Sequence, residues 1–318
     1  MVAPADLVPP SERRPDPAAI LGPMHVAILG FGLIGGSVAR ALHRSGEVPG
    51  SERWVVSAWS PTRVGPASAL ADGVVDVAAA SVEAALDGAE LVVLAAPAPV
   101  VLEQLGELAR GWRAAIDPDA VITDVASTKG RIVERATSLG LRFVGGHPMA
   151  GREISGYDAS SADLFDERPW VVVPTDDVAA VERVERLIGA TGARPVRITA
   201  HVHEEAVAAI SHLPLVVAAA LVEAVAGQGP RATRADWPTA ARLAASGWRD
   251  TTRLARGDVE MGAGMIATNG PAVAARVRDL ITVLEDWLSD LERIDGPSAA
   301  DIATRLATAR DTLEATSR

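Results

Sequence analysis

His25–Leu42 reads HVAILGFGLIGGSVARAL. Val26–Leu29 is a short apolar run with the character of a buried strand. Gly30, Gly32 and Gly35 follow as G-x-G-x-x-G, and apolar residues then recur with helical spacing through Val38 and Leu42. Strand, glycine turn and helix, in that order, are the setting in which this motif binds a dinucleotide; without it the same glycines are an ordinary turn. Gly30 permits the tight turn, Gly32 lets backbone approach a pyrophosphate, and Gly35 lets the helix pack on the strand. Phe31, Leu33 and Ile34 belong to the same cofactor-binding turn. Its first helical N–H groups point at the phosphates, where the helix dipole favours negative charge.

Outward from this turn, strands and helices alternate. Trp54–Trp59 (WVVSAW) is the second strand, and Val74–Asp76 a short third. Leu91–Ala96 is buried and ends at Pro97, ahead of an amphipathic helix over Val100–Trp112. Ala120–Val125 (AVITDV) is a strand, followed by a helix over Gly130–Ser138. Arg142–Gly146 leads into GGHPMAG; Trp170–Pro174 and Pro195–Thr199 are strands around a helix over Val178–Ala190. This alternation predicts an α/β fold, a doubly wound and mostly parallel sheet. Ligands of such sheets sit beyond the carboxyl ends of the strands, which puts Ala96 and Pro97 among the cofactor-binding residues.

The chain has 318 residues, enough for about two domains. Residues 1–23 contain six prolines and few large apolar side chains, and are expected to be a disordered tail. The Rossmann domain is expected over 24–199. Near Ala200 the composition turns alanine- and leucine-rich with helical spacing, so 200–318 is expected to be an all-helical domain for substrate binding and dimerisation. Its first helix, Ala200–Ala226, is mostly apolar beyond His212 and contains Pro214. Such a helix needs cover on most sides, which predicts a homodimer through the helical domain; a buried central helix in a monomer is the alternative.

A net charge of −11 argues against nucleic acid or anionic membranes as partners. No apolar run of about 18 residues lacks a charge or a proline, so no membrane span is expected. The start, MVAPADLVPPSERRPDP, does not have the pattern of a secretory signal. Cysteine is absent, which excludes disulfides and thiolate chemistry and fits a reducing cytoplasm. His201-x-His203 is not read as a metal site, because i and i+2 diverge on a helix and no third ligand is evident.

A Rossmann site for NAD usually has an acid at the tip of the second strand to hold the ribose 2′-hydroxyl. Here the strand ends Ala58-Trp59-Ser60-Pro61-Thr62-Arg63, with no acid. Ser60 and Thr62 can hydrogen-bond a 2′-phosphate and Arg63 can pair with it, which favours NADP over NAD.

Three further stretches carry candidate chemistry. Thr123–Gly130 (TDVASTKG) closes a strand where the nicotinamide should lie, and brings Ser127 and Thr128, which are equally suited to helix capping. Gly145–Gly151 (GGHPMAG) surrounds one histidine with glycines and a proline, and is followed by Arg152 and Glu153. The third is split between Ile210–Pro214 (ISHLP) and Gly247–Arg253 (GWRDTTR). Arg249 and Arg253 are spaced for one helical face, which suits a substrate with two carboxylates.

GFGLIGGS, DVASTKG, GGHPMAGRE-SG, ISHLP and GWRDTTRLA, in this order, resemble the TyrA family of prephenate and arogenate dehydrogenases, from Met24 to about Ala275. The resemblance implies a Rossmann domain with a helical dimerisation domain, and oxidation of a cyclohexadienol at C4 with hydride passing to NAD(P). The ring carboxylate leaves as CO2, and the ring aromatises. It implies His147 as the catalytic base and Ser127 as the residue that orients it. It gives His212 the lining of the substrate pocket, Arg253 the ring carboxylate, Arg249 the vicinity of the pyruvyl side chain and Glu153 the pocket mouth. One departure is Asp258–Asn269 (DVEMGAGMIATN), with Gly262 and Gly264 where relatives often carry a tryptophan and other apolar residues. No ACT-like pattern and no chorismate mutase segment is recognised, so a monofunctional enzyme is expected.

Overall fold

The computed structural model describes residues 23–152, 154–229 and 234–316. Apart from Pro23, the stretch expected to be a tail lies outside them, as does Glu153.

The chain runs β1 (Met24–Leu29), α1 (Leu33–Gly46), β2 (Trp54–Trp59), α2 (Val64–Ala71), β3 (Val77–Ala78), α3 (Val82–Leu86), β4 (Leu91–Leu94) and α4 (Ala98–Leu108). It continues with β5 (Val121–Asp124), α5 (Gly130–Ser138), β6 (Phe143–Pro148), β7 (Pro169–Val173), α6 (Val178–Ala190) and β8 (Arg194–Arg197). The eight strands form one sheet in the order β3-β2-β1-β4-β5-β6-β7-β8. Every neighbouring pair is parallel except β6 with β7. The order reverses between β1 and β4, and a crevice at such a switch point is where a doubly wound sheet takes its ligand.

Strands β4 and β5 are buried throughout, as central strands covered on both faces must be. Side chains alternate between two cores: Val26 and Ile28 join Val38, Leu42 and Trp170 on one face. Ala27 and Leu29 join Val101, Leu105 and Ile132 on the other.

Several expected bounds shift: the last strand is Arg194–Arg197, not Pro195–Thr199, and the helix after β4 is Ala98–Leu108, not Val100–Trp112. The short third strand is Val77–Ala78, not Val74–Asp76. Val74 N–H still bonds Ala69 O at the end of α2, and the Asp76 carboxylate accepts Val56 N–H at 2.8 Å, so the ladder with β2 starts only beyond them. Strand β4 stops at Leu94; Ala95 N–H makes one more bond to Leu29 O, and the chain then turns into α4 at Pro97.

The described helices after β8 are α7 (Ala200–Val207), α8 (Leu213–Ala226), α9 (Trp237–Leu243), α10 (Ser246–Thr251), α11 (Val259–Thr268), α12 (Gly270–Leu291) and α13 (Ala299–Thr316). A π-helical turn, Ala208–His212, joins α7 to α8, so Ala200–Ala226 is one helix of 27 residues. Pro214 explains the turn: it has no N–H for the carbonyl four residues back, and its ring crowds that carbonyl. Length and composition alone would let this helix cross a bilayer, but it holds His203 and Glu204 buried near its start.

The chain divides into two compact units. The first runs to Glu204 and takes in Gly257–Thr268; the second is Glu205–Arg256 with Asn269–Arg318. Within the first unit α11 lies against the start of α4. A side chain at Gly264 would meet the Pro99 ring at 3.0 Å, so glycine permits this approach. Thr268 Oγ1 then lies 2.9 Å from Thr128 Oγ1.

Candidate active site

At the glycine turn, Gly30 has φ +103°, and a Cβ there would fall 2.4 Å from Ala95 O. A Cβ on Gly35 would fall 2.3 Å from Gly30 O. Gly32 differs: nothing lies within 4 Å of where its Cβ would be. Gly32 is also the N-cap of α1, which has no side-chain cap and no acid in its first turn. Among the described residues, α1 thus begins with neither a side-chain cap nor an acid in its first turn, which fits a pyrophosphate. Phe31 is buried and stacks on Tyr157 at 5.6 Å, which braces the turn from the segment after β6.

At the tip of β2, Ser60 is 7% exposed, and its hydroxyl has no hydrogen-bond partner among the described residues. Thr62 and Arg63 are exposed, and Arg63 takes a left-handed conformation (φ 57°) as the N-cap of α2. The nearby acids are engaged elsewhere. Asp72 pairs with Arg40 at 3.1 Å and accepts Tyr157 O–H at 2.8 Å, while Asp76 holds Val56 N–H.

The carboxyl ends of β5 and β6 gather the polar centre of the first unit. Ser127 and His147 are half-buried there; Thr128 and Lys129 are buried. His147 Nδ1 lies 2.9 Å from His203 Nε2, with the rings 5.1 Å apart and edge to face. His203 is 1% exposed, and its Nδ1 is 3.5 Å from Glu204 Oε1. Glu204 Oε1 also accepts Gly130 N–H at 2.9 Å and Lys129 N–H, and so caps α5. Burial works to raise the Glu204 carboxyl. The neighbouring His203 ring and the hydrogen bonds from the two amides outweigh it and hold the group below the usual carboxylate range.

Lys129 Nζ pairs with Asp124, and neither side chain has any exposure. Burial pushes the Asp124 carboxyl up and the Lys129 ammonium down, while their attraction opposes both shifts.

In the second unit, His212 is fully buried in the π turn, with Nδ1 3.3 Å from Asn269 Nδ2. Arg249 and Arg253 are exposed and lie in two elements, α10 and the 3₁₀ turn that follows it, rather than in one continuous helix. Thr251 and Thr252 bond back to the Gly247 and Trp248 carbonyls at 2.7 Å. Such back-bonding bends helices; α10 ends at Thr251, and a 3₁₀ turn begins at Arg253. Glu153 lies outside the described residues.

Residues 38–198 match the family model for the prephenate dehydrogenase nucleotide-binding domain, and 199–298 match that for the prephenate dehydrogenase dimerization domain. Prephenate dehydrogenase of Bacillus subtilis is 31% identical over 274 residues, 85% of this chain and 68% of that protein. The chain belongs to the prephenate dehydrogenase family. Two solved structures resemble it closely. Synechocystis arogenate dehydrogenase has a TM-score of 0.74 and 31% identity, over 91% of this chain and 100% of that one. Aquifex aeolicus prephenate dehydrogenase, in complex with hydroxyphenyl propionate and NAD+, has a TM-score of 0.78 and 26% identity, over 92% and 99%.

In this member of the family the sequence did not point to the partner of His147. His203 drew attention only as half of a His-x-His pair, and Glu204 not at all. Their signal was available: a histidine and a carboxylate in the first turns of a helix that starts at the carboxyl end of a sheet strand. Asp124 and Lys129 had one as well, an acid at the end of the strand run Ala120-Val121-Ile122-Thr123 and a lone lysine five residues on.

Proposed function

We propose that this protein oxidises prephenate to 4-hydroxyphenylpyruvate and CO2, using a nicotinamide dinucleotide. The observation that carries the proposal is the His147–His203 pair at the carboxyl edge of the sheet, at 2.9 Å. With Nδ1 committed to His203, Nε2 of His147 takes the proton of the ring hydroxyl. Ser127, on the adjacent loop, orients that hydroxyl. When bound, the oxidised nicotinamide supplies the hydride acceptor. Arg253 pairs with the ring carboxylate, which leaves as CO2; the electrons of the broken carbon–carbon bond aromatise the ring, and the oxygen regains a proton as the phenol. Arg249 serves the side-chain carboxylate, His212 lines the pocket and Glu153 stands at its mouth. The dinucleotide is held by Gly30–Gly35 and by the β4–α4 junction at Ala96 and Pro97.

The cofactor preferred is NADP. The unpartnered Ser60 hydroxyl, the exposed Thr62 and Arg63, and the engagement of Asp72 and Asp76 elsewhere support a 2′-phosphate at the tip of β2. The protein works as a homodimer through its helical domain. In support, only 22% of the most apolar stretch of Ala200–Ala226 is buried within one chain.

Arogenate is the second reading, favoured by the likeness to the Synechocystis arogenate dehydrogenase at 31% identity. The experiment is one set of assays: purified protein with prephenate or arogenate, each with NAD or NADP, followed by absorbance of the reduced cofactor. Turnover of prephenate with NADP at the highest kcat/KM is expected. Preference for arogenate or for NAD replaces the corresponding part, and no turnover with either substrate rejects the proposal.

A further inference from the structure

We propose that Asp124 is a positioning residue that holds the His147 strand and the Ser127 loop in one register, with Lys129 as its fixed countercharge. The inference rests on the reading of His147 as the base. Strands β5 and β6 pair only at Ile122 with Phe143 and at Thr123 with Val144. Beyond that point β6 pairs with β7, from Gly145 to Pro148. The ladder therefore does not tie β6 to β5 at the level of His147. Asp124 makes that tie: its Oδ1 accepts Gly146 N–H at 3.1 Å. Its Oδ2 accepts Ala126 N–H at 3.1 Å and takes Lys129 Nζ. One carboxylate thus grips the residue before His147 and the residue before Ser127.

Gly146 is shaped for this grip, since a Cβ there would fall 2.6 Å from Asp124 O. The pair reaches His147 from its other side too. The Lys129 amide is capped by Glu204, whose neighbour His203 holds the His147 ring. A fully buried ion pair is a poor source of stability, because apolar residues of similar volume commonly serve as well or better. Geometry is what these two charges supply.

The test uses the full-length protein in two variants, Asp124→Asn and the double Asp124→Leu/Lys129→Met. Each is measured for melting temperature, for kcat and KM, and for the ring-nitrogen chemical shifts of His147 in the free protein. Small misplacements at a reacting centre cost up to ~10²-fold, so kcat should fall about 10- to 100-fold. KM for substrate and dinucleotide should change less than about threefold, since uniform binding is untouched. The His147 shifts should move in both variants, and the double variant should melt near the wild type. Wild-type kcat and wild-type His147 shifts in a folded variant overturn the proposal. If the double variant does not fold, Asp124→Asn, which keeps the side-chain shape, decides by the same split. A wild-type protein inactive on both substrates would sink the base assignment instead, and the ring shifts still report on the positioning.

Discussion

His203 Nε2 lies 2.9 Å from His147 Nδ1, and behind it the Glu204 carboxylate is 3.5 Å from His203 Nδ1. The two histidines come from β6 and α7, far apart in sequence. A ring nitrogen held in this way fixes both the tautomer and the orientation of the His147 imidazole, the proposed base.

Replacing the base should remove chemistry and spare binding. For His147→Ala, kcat should fall by ~10²–10⁴-fold, the usual worth of a positioned base. Dinucleotide affinity should stay at the wild-type value. Steady-state kinetics beside a fluorescence titration with reduced cofactor measure both.

His203→Phe keeps an aromatic edge against His147 and removes the hydrogen bond. We expect a kcat lower by about tenfold or more, the equivalent of one lost hydrogen bond to a group that becomes charged. The acidic limb of the kcat profile, along which the base becomes protonated, should also move, because the His147 imidazolium loses its neighbour. An unchanged profile alongside reduced thermal stability would make His203 a packing residue only.

The glycine turn separates fold from ligand. Gly35→Ala forces a Cβ against the Gly30 carbonyl and should destabilise the free protein by about 1–3 kcal/mol. Gly32→Ala has room in the free protein and should leave its melting temperature alone. It should still weaken dinucleotide binding by about tenfold or more, about 1.4 kcal/mol. Calorimetry of the free protein together with binding titrations distinguishes the two.

At the tip of β2, Arg63→Ala and Ser60→Ala should raise KM for NADP by about tenfold or more and leave KM for NAD within about twofold, since charge-assisted hydrogen bonds are worth ~1.5–3 kcal/mol. Equal effects on both cofactors would place these side chains away from the 2′-position.

Tyr157 is the one tyrosine of the chain, so its titration can be followed without assignment. Burial, then the hydrogen bond to Asp72, push its hydroxyl up from 10.0 to about 12. The folded state thus holds this proton more tightly than the unfolded one. The associated stability is complete below pH 10.0 and is lost as pH rises towards about 12. Tyrosinate absorbance should rise at higher pH in the native protein than in guanidinium. Asp72→Asn should bring the two curves closer.

Much of the first unit was legible because its signals are local. The glycine turn fixed β1 and α1, and the bounds of α5 and α6 are those their periodicity predicts. The antiparallel placement of β7 was not legible, because it depends on the path of the segment through Tyr157 that folds back over α1. The break between Arg249 and Arg253 depends on threonine hydroxyls competing for carbonyls, which apolar periodicity does not register. The His203 contact joins residues whose proximity the tertiary fold creates, and the burial of the Asp124–Lys129 pair, five residues apart in sequence, is likewise a product of the packing around it. At the site, His147 and Ser127 stood out as residue types in an unusual setting, whereas the groups that hold them did not.

The return of α11 to the first unit has a practical consequence for anyone cutting this chain. A fragment ending at Glu204 would keep the whole sheet, yet it would strip the cover from Pro99 and leave the Thr128 hydroxyl without Thr268. The nucleotide-binding half therefore cannot be excised with one stop codon. An intact version needs Gly257–Thr268 grafted back through a linker, and its absence would be felt first on the loop that carries Ser127.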